Sequence, residues 1–156
     1  MRPGVQDASA PTSGFTLVEV LAVMLILAIL MMASVPILIS FQDHARVQRA
    51  IADVRTIAQA IDMYFLINDE WPASLADVDL GFKQDPWGKP YQYLRIATSP
   101  RGAVRKNRFL VPINTYYDLY SMGPDGKTRT PLTARDSRDD IIRANDGDFI
   151  GIASNY

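Results

Sequence analysis

Hydrophobic residues divide this chain into a continuous apolar stretch and a following segment with one apolar and one polar face. From Phe15 to Phe41 nearly every residue is Leu, Ile, Val, Met, Ala or Phe. Because an α-helix needs about 20 apolar residues to cross a hydrocarbon core, the stretch predicts a membrane-spanning helix over residues 15–41. Pro36 lies inside it, lacks a backbone donor, and is expected to kink or locally open the helix.

Beyond Phe41 the pattern is typical of an amphipathic helix. Apolar residues recur at spacings of three, four and seven, and Asp, Arg and Gln occupy the other face. The helix is therefore expected to continue over residues 42–67. Its apolar stripe is interpreted as the core of a globular domain, and a groove for a partner is the alternative. The stripe consists of Val47, Ile51, Val54, Ala58, Ile61 and Phe65.

The pattern over residues 68–156 predicts a small globular region. Because its strands would pack on the preceding helix, the predicted fold class is α+β. Pro72 ends the helix, because the residue before a proline is biased away from helical angles. Residues 74–80 are expected to form one short helical turn. Alternating segments predict about three antiparallel strands, packed on the helix and followed by an ordered C-terminal loop. The strand candidates are residues 91–96, 109–113 and 116–122.

Composition narrows the class of function. The chain has 16 Lys and Arg, 17 Asp and Glu and a formal net charge of −1, so nothing indicates nucleic-acid binding. It has no cysteine, and its one histidine, His44, is interpreted as solvated, so no catalytic set is expected. A basic loop is interpreted as a solvated hairpin tip, with docking to an acidic partner as the alternative. Its members are Arg101, Arg105, Lys106 and Arg108.

One charge interrupts the apolar stretch near its start. An unpaired Glu19 carboxylate is costly inside a membrane, unless it snorkels to the interface or finds a partner. The residues around it, 14–19, read GFTLVE and directly begin the apolar run. This combination resembles the processing motif of type IV pilins and of the pseudopilins of type II secretion.

The resemblance implies a processing pathway. Residues 1–14 would be a prepilin leader, and a prepilin peptidase would cut between Gly14 and Phe15. The new amino terminus would be N-methylated, and the apolar helix would be retained as the filament core. Glu19 would then pair with the amine of Phe15, in its own subunit or a neighbour, and set the axial register. Pro36 matches a proline that many family members have.

The C-terminal region carries carboxylates that suit a hard cation. Ca²⁺ prefers six to eight oxygen ligands, and Asp125 together with Asp139 and Asp140 across a loop would supply several. The spacing does not match an EF-hand. The alternative is a solvated acidic loop. Its counterions would be Arg135, Arg138 and Arg143.

Two further segments resemble signatures of the major pseudopilin of type II secretion. They are DPWGKPY at residues 85–91 and DLYSMGPDG at residues 118–126, with a later DDI at residues 139–141. The resemblance implies a calcium ion held by the side chains of Asp125, Asp139 and Asp140 and by the backbone carbonyl of Met122. The loop is longer here than in the family. Secondary candidates are Asp136, Asp146 and Asp148.

The function implied is that of a structural subunit of a type II secretion pseudopilus. The chain would cross the inner membrane once, place its globular domain in the periplasm, and assemble into a filament that helps move folded proteins across the outer membrane. Expected partners are further copies, minor pseudopilins, the inner-membrane assembly platform and the prepilin peptidase. Alternatives are a type IV pilus pilin or minor pilin, and a membrane-anchored binding domain or enzyme, for which Asp139 and Asp140 are the candidate acid–base pair.

Overall fold

A single long helix opens the described part of the chain. The computed structural model describes residues 14–156, without the side chains of residues 33–39, and the preceding residues 1–13 of the predicted leader lie outside it. Helix α1 spans Leu17–Asn68, close to the predicted bounds. The side chain of Pro36 lies outside the described side chains, so the kink there remains a prediction.

The chain divides into two compact units, the first ending at Phe41 and the second comprising Gln42–Tyr156. In the first unit the described apolar side chains are exposed, from Leu17 at 78% to Met32 at 79%. Within the described residues, no helix combines the length and the hydropathy that crossing a membrane requires. The membrane span over residues 15–41 remains a prediction.

The amphipathic part of α1 supplies the core of the second unit. Val54, Ile57 and Ile61 are fully buried. Val47 and Ile51, from the same predicted stripe, are half-buried and pack against them. The stripe is thus confirmed as the core face of the domain, as its spacing predicted.

Four antiparallel strands follow the helix. A short 3-10 helix at Leu75–Val78, close to the predicted helical turn, precedes them. Each strand pairs with the next one along the chain, in the order β1-β2-β3-β4. The strands are β1 at Gln92–Arg95, β2 at Tyr117–Ser121, β3 at Ile141–Ala144 and β4 at Phe149–Ile152.

The sheet differs from the prediction of about three strands and a C-terminal loop. Residues 109–113 form a turn, because the Asn107 side-chain oxygen accepts the N–H groups of Phe109 and Val111 at 2.9 and 3.1 Å. In addition, Pro112 has no N–H to give to a strand ladder. The predicted C-terminal loop instead supplies β3 and β4, each only four residues long.

The sheet separates two hydrophobic clusters. Successive residues of a strand point to opposite faces, so Ile141 and Ile142 of β3 belong to different clusters. On the helix side, the sheet region contributes Tyr91, Tyr117, Leu119 and Ile141. On the other side, the cluster consists of Ile113, Leu132, Ile142, Ala144 and Ala153.

Two tyrosine hydroxyls connect the sheet region to polar residues of α1. Tyr91 donates to Asp53 Oδ2 at 3.0 Å, and Tyr117 donates to Asp62 Oδ1 at 2.9 Å. Burial raises the pKa of both tyrosines, and the adjacent aspartates raise it further. The Lys83 ammonium lies 2.8 Å from the other oxygen of Asp53. These contacts fix the register of the sheet on the helix.

Candidate functional site

The amino-terminal motif forms a helix cap. Thr16 immediately precedes α1, and both its backbone N–H and its hydroxyl donate to Glu19 Oε2 at 3.0 Å. In return, the Glu19 N–H donates to Thr16 Oγ1 at 3.3 Å. This is a capping box, which satisfies two backbone donors that a helix start leaves without partners. The spacing Thr-x-x-Glu carries this signal, which the sequence prediction missed.

The predicted cleavage bond lies next to this cap. A Cβ placed on Gly14 would meet nothing within 4 Å, and the Phe15 side chain is 85% exposed. A cut between the two would leave the new amine one residue before Thr16. Pairing of that amine with Glu19 of the same or a neighbouring subunit remains a prediction.

The two pseudopilin-like signatures meet at Asp85. This buried carboxylate accepts the backbone N–H groups of Trp87 and Lys89 through Oδ1, at 3.0 and 2.8 Å. Its Oδ2 accepts the hydroxyl of Ser121, whose oxygen in turn accepts the Gly123 N–H at 3.1 Å. The turn after Asp85 is therefore fastened to the end of β2 and to the start of the acidic region.

Gly123 brings two predicted calcium ligands together. Its φ is +62°, and a Cβ there would lie 2.5 Å from the carbonyl oxygen of Asp139, so only glycine fits. Two residues on, the Asp125 N–H points at Asp139 Oδ2 over 3.4 Å. Met122 precedes Gly123 directly, so its carbonyl belongs to the same turn.

An open pocket collects acidic and basic side chains at this turn. We call it the acidic pocket. Its carboxylates come from Asp125, Asp136 and Asp139. Its cations come from Lys127, Arg135 and Arg138. The carboxylates thus have counterions on the same surface, which agrees with the alternative of a solvated, charge-balanced loop.

Asp140 lies in a different environment. It is fully buried and forms an ion pair with Arg105 through Oδ2, which also accepts the Thr128 hydroxyl at 2.6 Å. Its Oδ1 is buried and has no hydrogen-bond partner among the described residues. Burial raises the pKa of Asp140 to about 6, although the hydrogen bond from Thr128 and the Arg105 charge act in the opposite direction.

The predicted solvent exposure of Arg105 is wrong. The residue was expected in a solvated loop, yet it is 2% exposed. Besides Asp140, its guanidinium donates to the Thr128 hydroxyl and to the Arg129 carbonyl, the latter at 2.7 Å. It also lies 4.4 Å from the centre of the Tyr120 ring. The pairing offsets the cost of burying the charge, because both terminal nitrogens have acceptors, although the Nε donor has none among the described residues.

Asp118, the first residue of the second signature, stabilises the fold through its hydrogen bonds. Its carboxylate accepts the Arg105 backbone N–H at 2.7 Å and the Asn114 side-chain N–H at 2.9 Å. Burial raises its pKa, against the opposing effect of these hydrogen bonds. Asp118 therefore holds the loop that carries Arg105 against β2.

The secondary candidates Asp146 and Asp148 both lie in the connection between β3 and β4. Asp146 Oδ1 accepts the Thr115 N–H at 2.9 Å and lies 3.8 Å from the Arg143 guanidinium. Neither aspartate is among the described lining of the acidic pocket. Arg143, a predicted counterion of the acidic loop, instead lies buried with its guanidinium 4.1 Å from the centre of the Tyr117 ring.

Within the described residues, no three side chains of the types Asp, Glu, His or Cys are arranged to hold a metal ion. The acidic pocket places Asp125, Asp136 and Asp139 on one surface. Asp140 contributes no lining there and pairs with Arg105. Three of these four carboxylates therefore line the acidic pocket, and the fourth, that of Asp140, is buried.

Two families match the chain, one in each part. The family described as "Prokaryotic N-terminal methylation motif" matches residues 11–35, which include the capping box. The family described as "Type II secretion system (T2SS), protein G" matches residues 37–140. The chain belongs to this protein G family. The family comprises structural pseudopilin subunits and is not an enzyme family.

Relatives carrying the name "Type II secretion system core protein G" support the assignment. The Pseudomonas aeruginosa protein is 35% identical over 136 residues, covering 74% of this chain and 85% of its own length. The Aeromonas hydrophila protein is 34% identical over 158 residues, covering 88% and 95%. The Escherichia coli K12 protein is 28% identical over 138 residues, covering 75% and 85%. No solved structure gives a significant match.

In this protein G family member, the family match ends at residue 140, which is Asp140. Strands β3 and β4 follow that point, so half of the sheet lies beyond the matched residues. The buried pair of Arg105 and Asp140 therefore sits where the matched part of the domain joins its final hairpin.

Proposed function

We propose that this chain is the filament-forming subunit of a type II secretion pseudopilus. Residues 15–41 would anchor it in the inner membrane, and the domain of residues 42–156 would lie in the periplasm. The observation that carries the proposal is the presence of both matches on one chain, the methylation motif in front and protein G behind it. A type IV pilin shares the first of these features but not the second.

The exposed apolar side chains of the first unit support this role. Leu21, Met24 and Ile29 are each 59–63% exposed on the isolated chain. A helix that is apolar all round belongs in a membrane or inside a bundle of helices. In the proposed role, the apolar helix would lie in the bilayer before assembly and among the helices of neighbouring subunits after it.

The resemblance to pseudopilins implies the steps of assembly. A prepilin peptidase cuts between Gly14 and Phe15, and the new amino terminus is methylated. The assembly platform and minor pseudopilins then organise extraction of the helix from the inner membrane, driven by a separate ATPase. The growing filament helps folded proteins cross the outer membrane.

Substitution of Gly14 tests the processing step. In the producing bacterium, Gly14→Val is expected to accumulate as the uncut precursor, whereas the native chain starts at a methylated Phe15. Because nothing lies within 4 Å of a Cβ at Gly14, the variant tests recognition by the peptidase and not the fold. Intact mass and amino-terminal sequencing give the answer. Val18→Ile is the matched control, and a native chain that still begins with Met1 contradicts the proposal.

We also propose that calcium binds at the turn after β2. Asp125 and Asp139 would hold it, with the Met122 carbonyl and the unpartnered Oδ1 of Asp140, and with Asp136 as the secondary ligand. A buried carboxylate oxygen without a donor is destabilising, and a nearby cation would relieve that cost. Bound calcium would neutralise the carboxylates and fasten the loop of a domain that has no disulfide.

The melting temperature of residues 42–156 tests calcium binding. That segment is a compact unit with its own core. Calcium at a hundredfold excess over Kd is expected to add about 2.7 kcal/mol to the free energy of unfolding relative to chelator. Asp125→Ala should abolish the shift, and Asp148→Ala, outside the acidic pocket, should retain it. Equal melting temperatures with calcium and chelator would favour the charge-balanced loop.

A further inference from the structure

The exposed face of α1 becomes apolar near the helix end. Met63, Leu66 and Ile67 are 57%, 76% and 74% exposed. Their spacing of three and four residues places them on one face, opposite the buried Ile57 and Ile61. We call these three residues the helix patch. Adjacent exposed apolar side chains are a feature of interaction surfaces.

Acidic residues adjoin the helix patch. Asp69 and Glu70 follow it in the chain after Asn68, and both are exposed. Glu70 contacts the Arg95 guanidinium at 3.0 Å, and Asp69 keeps a positive φ of 54° that ends the helix. The helix patch therefore presents apolar side chains beside the Asp69 carboxylate and the ion pair of Glu70 with Arg95.

A second exposed apolar cluster lies on the turn that replaced the predicted strand. Phe109, Leu110 and Val111 are 69%, 64% and 53% exposed, and we call them the loop patch. The turn is held in place, because Asn107 accepts three N–H groups from these residues, two on its side chain and one on its carbonyl. Leu110 has a φ of +61°, a costly conformation that persists only where the surroundings impose it.

Basic residues accompany the loop patch. The Arg108 guanidinium lies 4.7 Å from the centre of the Phe109 ring. Both residues line a groove that also includes Leu132, Arg138 and Tyr156. The groove thus combines apolar walls with positive charge, which complements the apolar and acidic end of α1.

The two patches lie on opposite sides of the sheet. The helix patch is on the outer face of α1, whose inner face packs on the first cluster. The groove of the loop patch includes Leu132 and Ala153, which belong to the second cluster, on the other sheet face. A contact that joins two different surfaces of one chain does not close into a two-fold dimer, and it repeats from copy to copy.

We propose that the helix patch of one copy docks in the groove beside the loop patch of the next copy. This contact rests on the proposed function, because it places successive globular domains along a filament. Apolar burial supplies the attraction. The acidic end of α1 meeting Arg108 and Arg138 fixes which surfaces pair.

Cysteine cross-linking of the full-length chain tests the contact, since the native sequence has no cysteine. Filaments of Leu66→Cys/Leu110→Cys treated with a short bis-maleimide are expected to give a ladder of covalent multimers. Each single variant should remain monomeric, and the two singles produced together should stop at the dimer. Phe82 is 99% exposed and belongs to neither patch, so Leu66→Cys/Phe82→Cys is the matched control without a ladder.

The outcomes separate the contact from the proposed function. If electron microscopy shows filaments but the double variant gives no ladder, the contact is wrong and the filament role stands. A dimer from Leu66→Cys alone would show a symmetric contact, and a ladder from the control would show crowding; either overturns the inference. If the native chain forms no filament, the proposed function fails and the contact fails with it.

Charge reversal in the double-cysteine chain tests the basic side of the contact. Arg108→Glu is expected to remove most of the ladder, because it sets a negative charge against Asp69 and Glu70. Arg108→Lys keeps the charge and should retain the ladder. Equal ladders from the Glu and Lys variants would contradict charge recognition at this groove.

Discussion

The Glu19 carboxylate accepts two hydrogen bonds within its own chain, both from Thr16. If residues 15–41 lie in a bilayer as proposed, this arrangement would lower the cost of carrying a charge there, because the carboxylate has donors within its own chain. The same oxygen would have to turn toward an amine of Phe15 when subunits pair. Glu19 caps the helix in the structure, and in the proposed assembly the same residue would also pair with the amine of Phe15.

Two substitutions at Glu19 separate capping from charge. Glutamine also serves at the third position of a capping box, so Glu19→Gln keeps the cap and removes the charge, whereas Glu19→Ala removes both. If charge pairing directs assembly, both variants are processed and both yield few filaments by sedimentation and electron microscopy. Filament yield restored by Gln alone would show that only the cap is needed.

The amino-terminal motif was predictable because its evidence lies within a few positions of the chain, and the roles assigned to its residues remain predictions. Gly14, Phe15 and Glu19 are recognisable because the motif and the apolar run adjoin each other. The burial of Arg105 was not predictable, because its partner Asp140 lies 35 residues away and nothing local distinguishes it from neighbouring solvated cations. The capping box was present in the sequence and was missed.

At the scale of elements, the turn after Asp85 and the end of β2 depend on each other. The Ser121 hydroxyl donates to buried Asp85 and accepts the Gly123 N–H, so it joins three segments through one oxygen. The two signatures therefore form one structural unit, although Asp85 and Ser121 are 36 positions apart in the chain and the sequence shows no link.

Removing this hydroxyl is expected to destabilise the domain. Ser121→Ala leaves a buried carboxylate oxygen of Asp85 and the Gly123 N–H without their partner, which costs about 1–3 kcal/mol. Urea unfolding of residues 42–156 measures the change. Ser154→Ala, at an exposed position, should stay within about 0.5 kcal/mol of the native domain. An unchanged midpoint for Ser121→Ala would show that water replaces the hydroxyl.

Strand prediction succeeded or failed according to the strength of the local pattern. Strand β2 was found because Tyr117 and Leu119 alternate with polar residues. Residues 109–113 look like a strand by composition, but the Asn107 side chain closes a turn on them. Strands β3 and β4 are four residues long, and their identity depends on pairing with β2 and with each other.

At the scale of the molecule, burial of tyrosine hydroxyls links stability to high pH. Tyr91 and Tyr117 have raised pKa values in the folded domain, whereas the unfolded chain titrates near pH 10. The contribution of the two tyrosines to the free energy of unfolding is therefore complete below about pH 10. It is lost as the pH rises further, because the unfolded state then releases protons that the native state keeps.

The melting temperature of residues 42–156 should accordingly fall steeply above about pH 10. Phenolate absorbance should show the exposed tyrosines titrating first, and the buried ones only as the fold is lost. Tyr117→Phe should make the alkaline fall shallower, while exposed Tyr156→Phe leaves its slope unchanged. Complete ionisation of all seven tyrosines with an intact circular dichroism spectrum would contradict this account.

The overall class, a long helix with an antiparallel sheet, was predictable because helical periodicity over more than 20 residues is a strong signal. What was not predictable is the second cluster on the far face of the sheet. Ile113, Leu132 and Ala153 come from loops and short segments without periodicity, and only the folded chain brings them together.

The order of strands in the sheet matches their order along the chain. A domain exported with its amino end first can therefore grow in the sequence of arrival, with β1 meeting β2, and each later strand adding to an edge already formed. Only the pairing of β3 with β4 spans a short connection, residues 145–148, and closes quickly, whereas residues 96–116 and 122–140 separate the other pairs. In the proposed periplasmic placement, each strand that emerges would meet an edge already formed, which limits the time for which unpaired edges are open to aggregation.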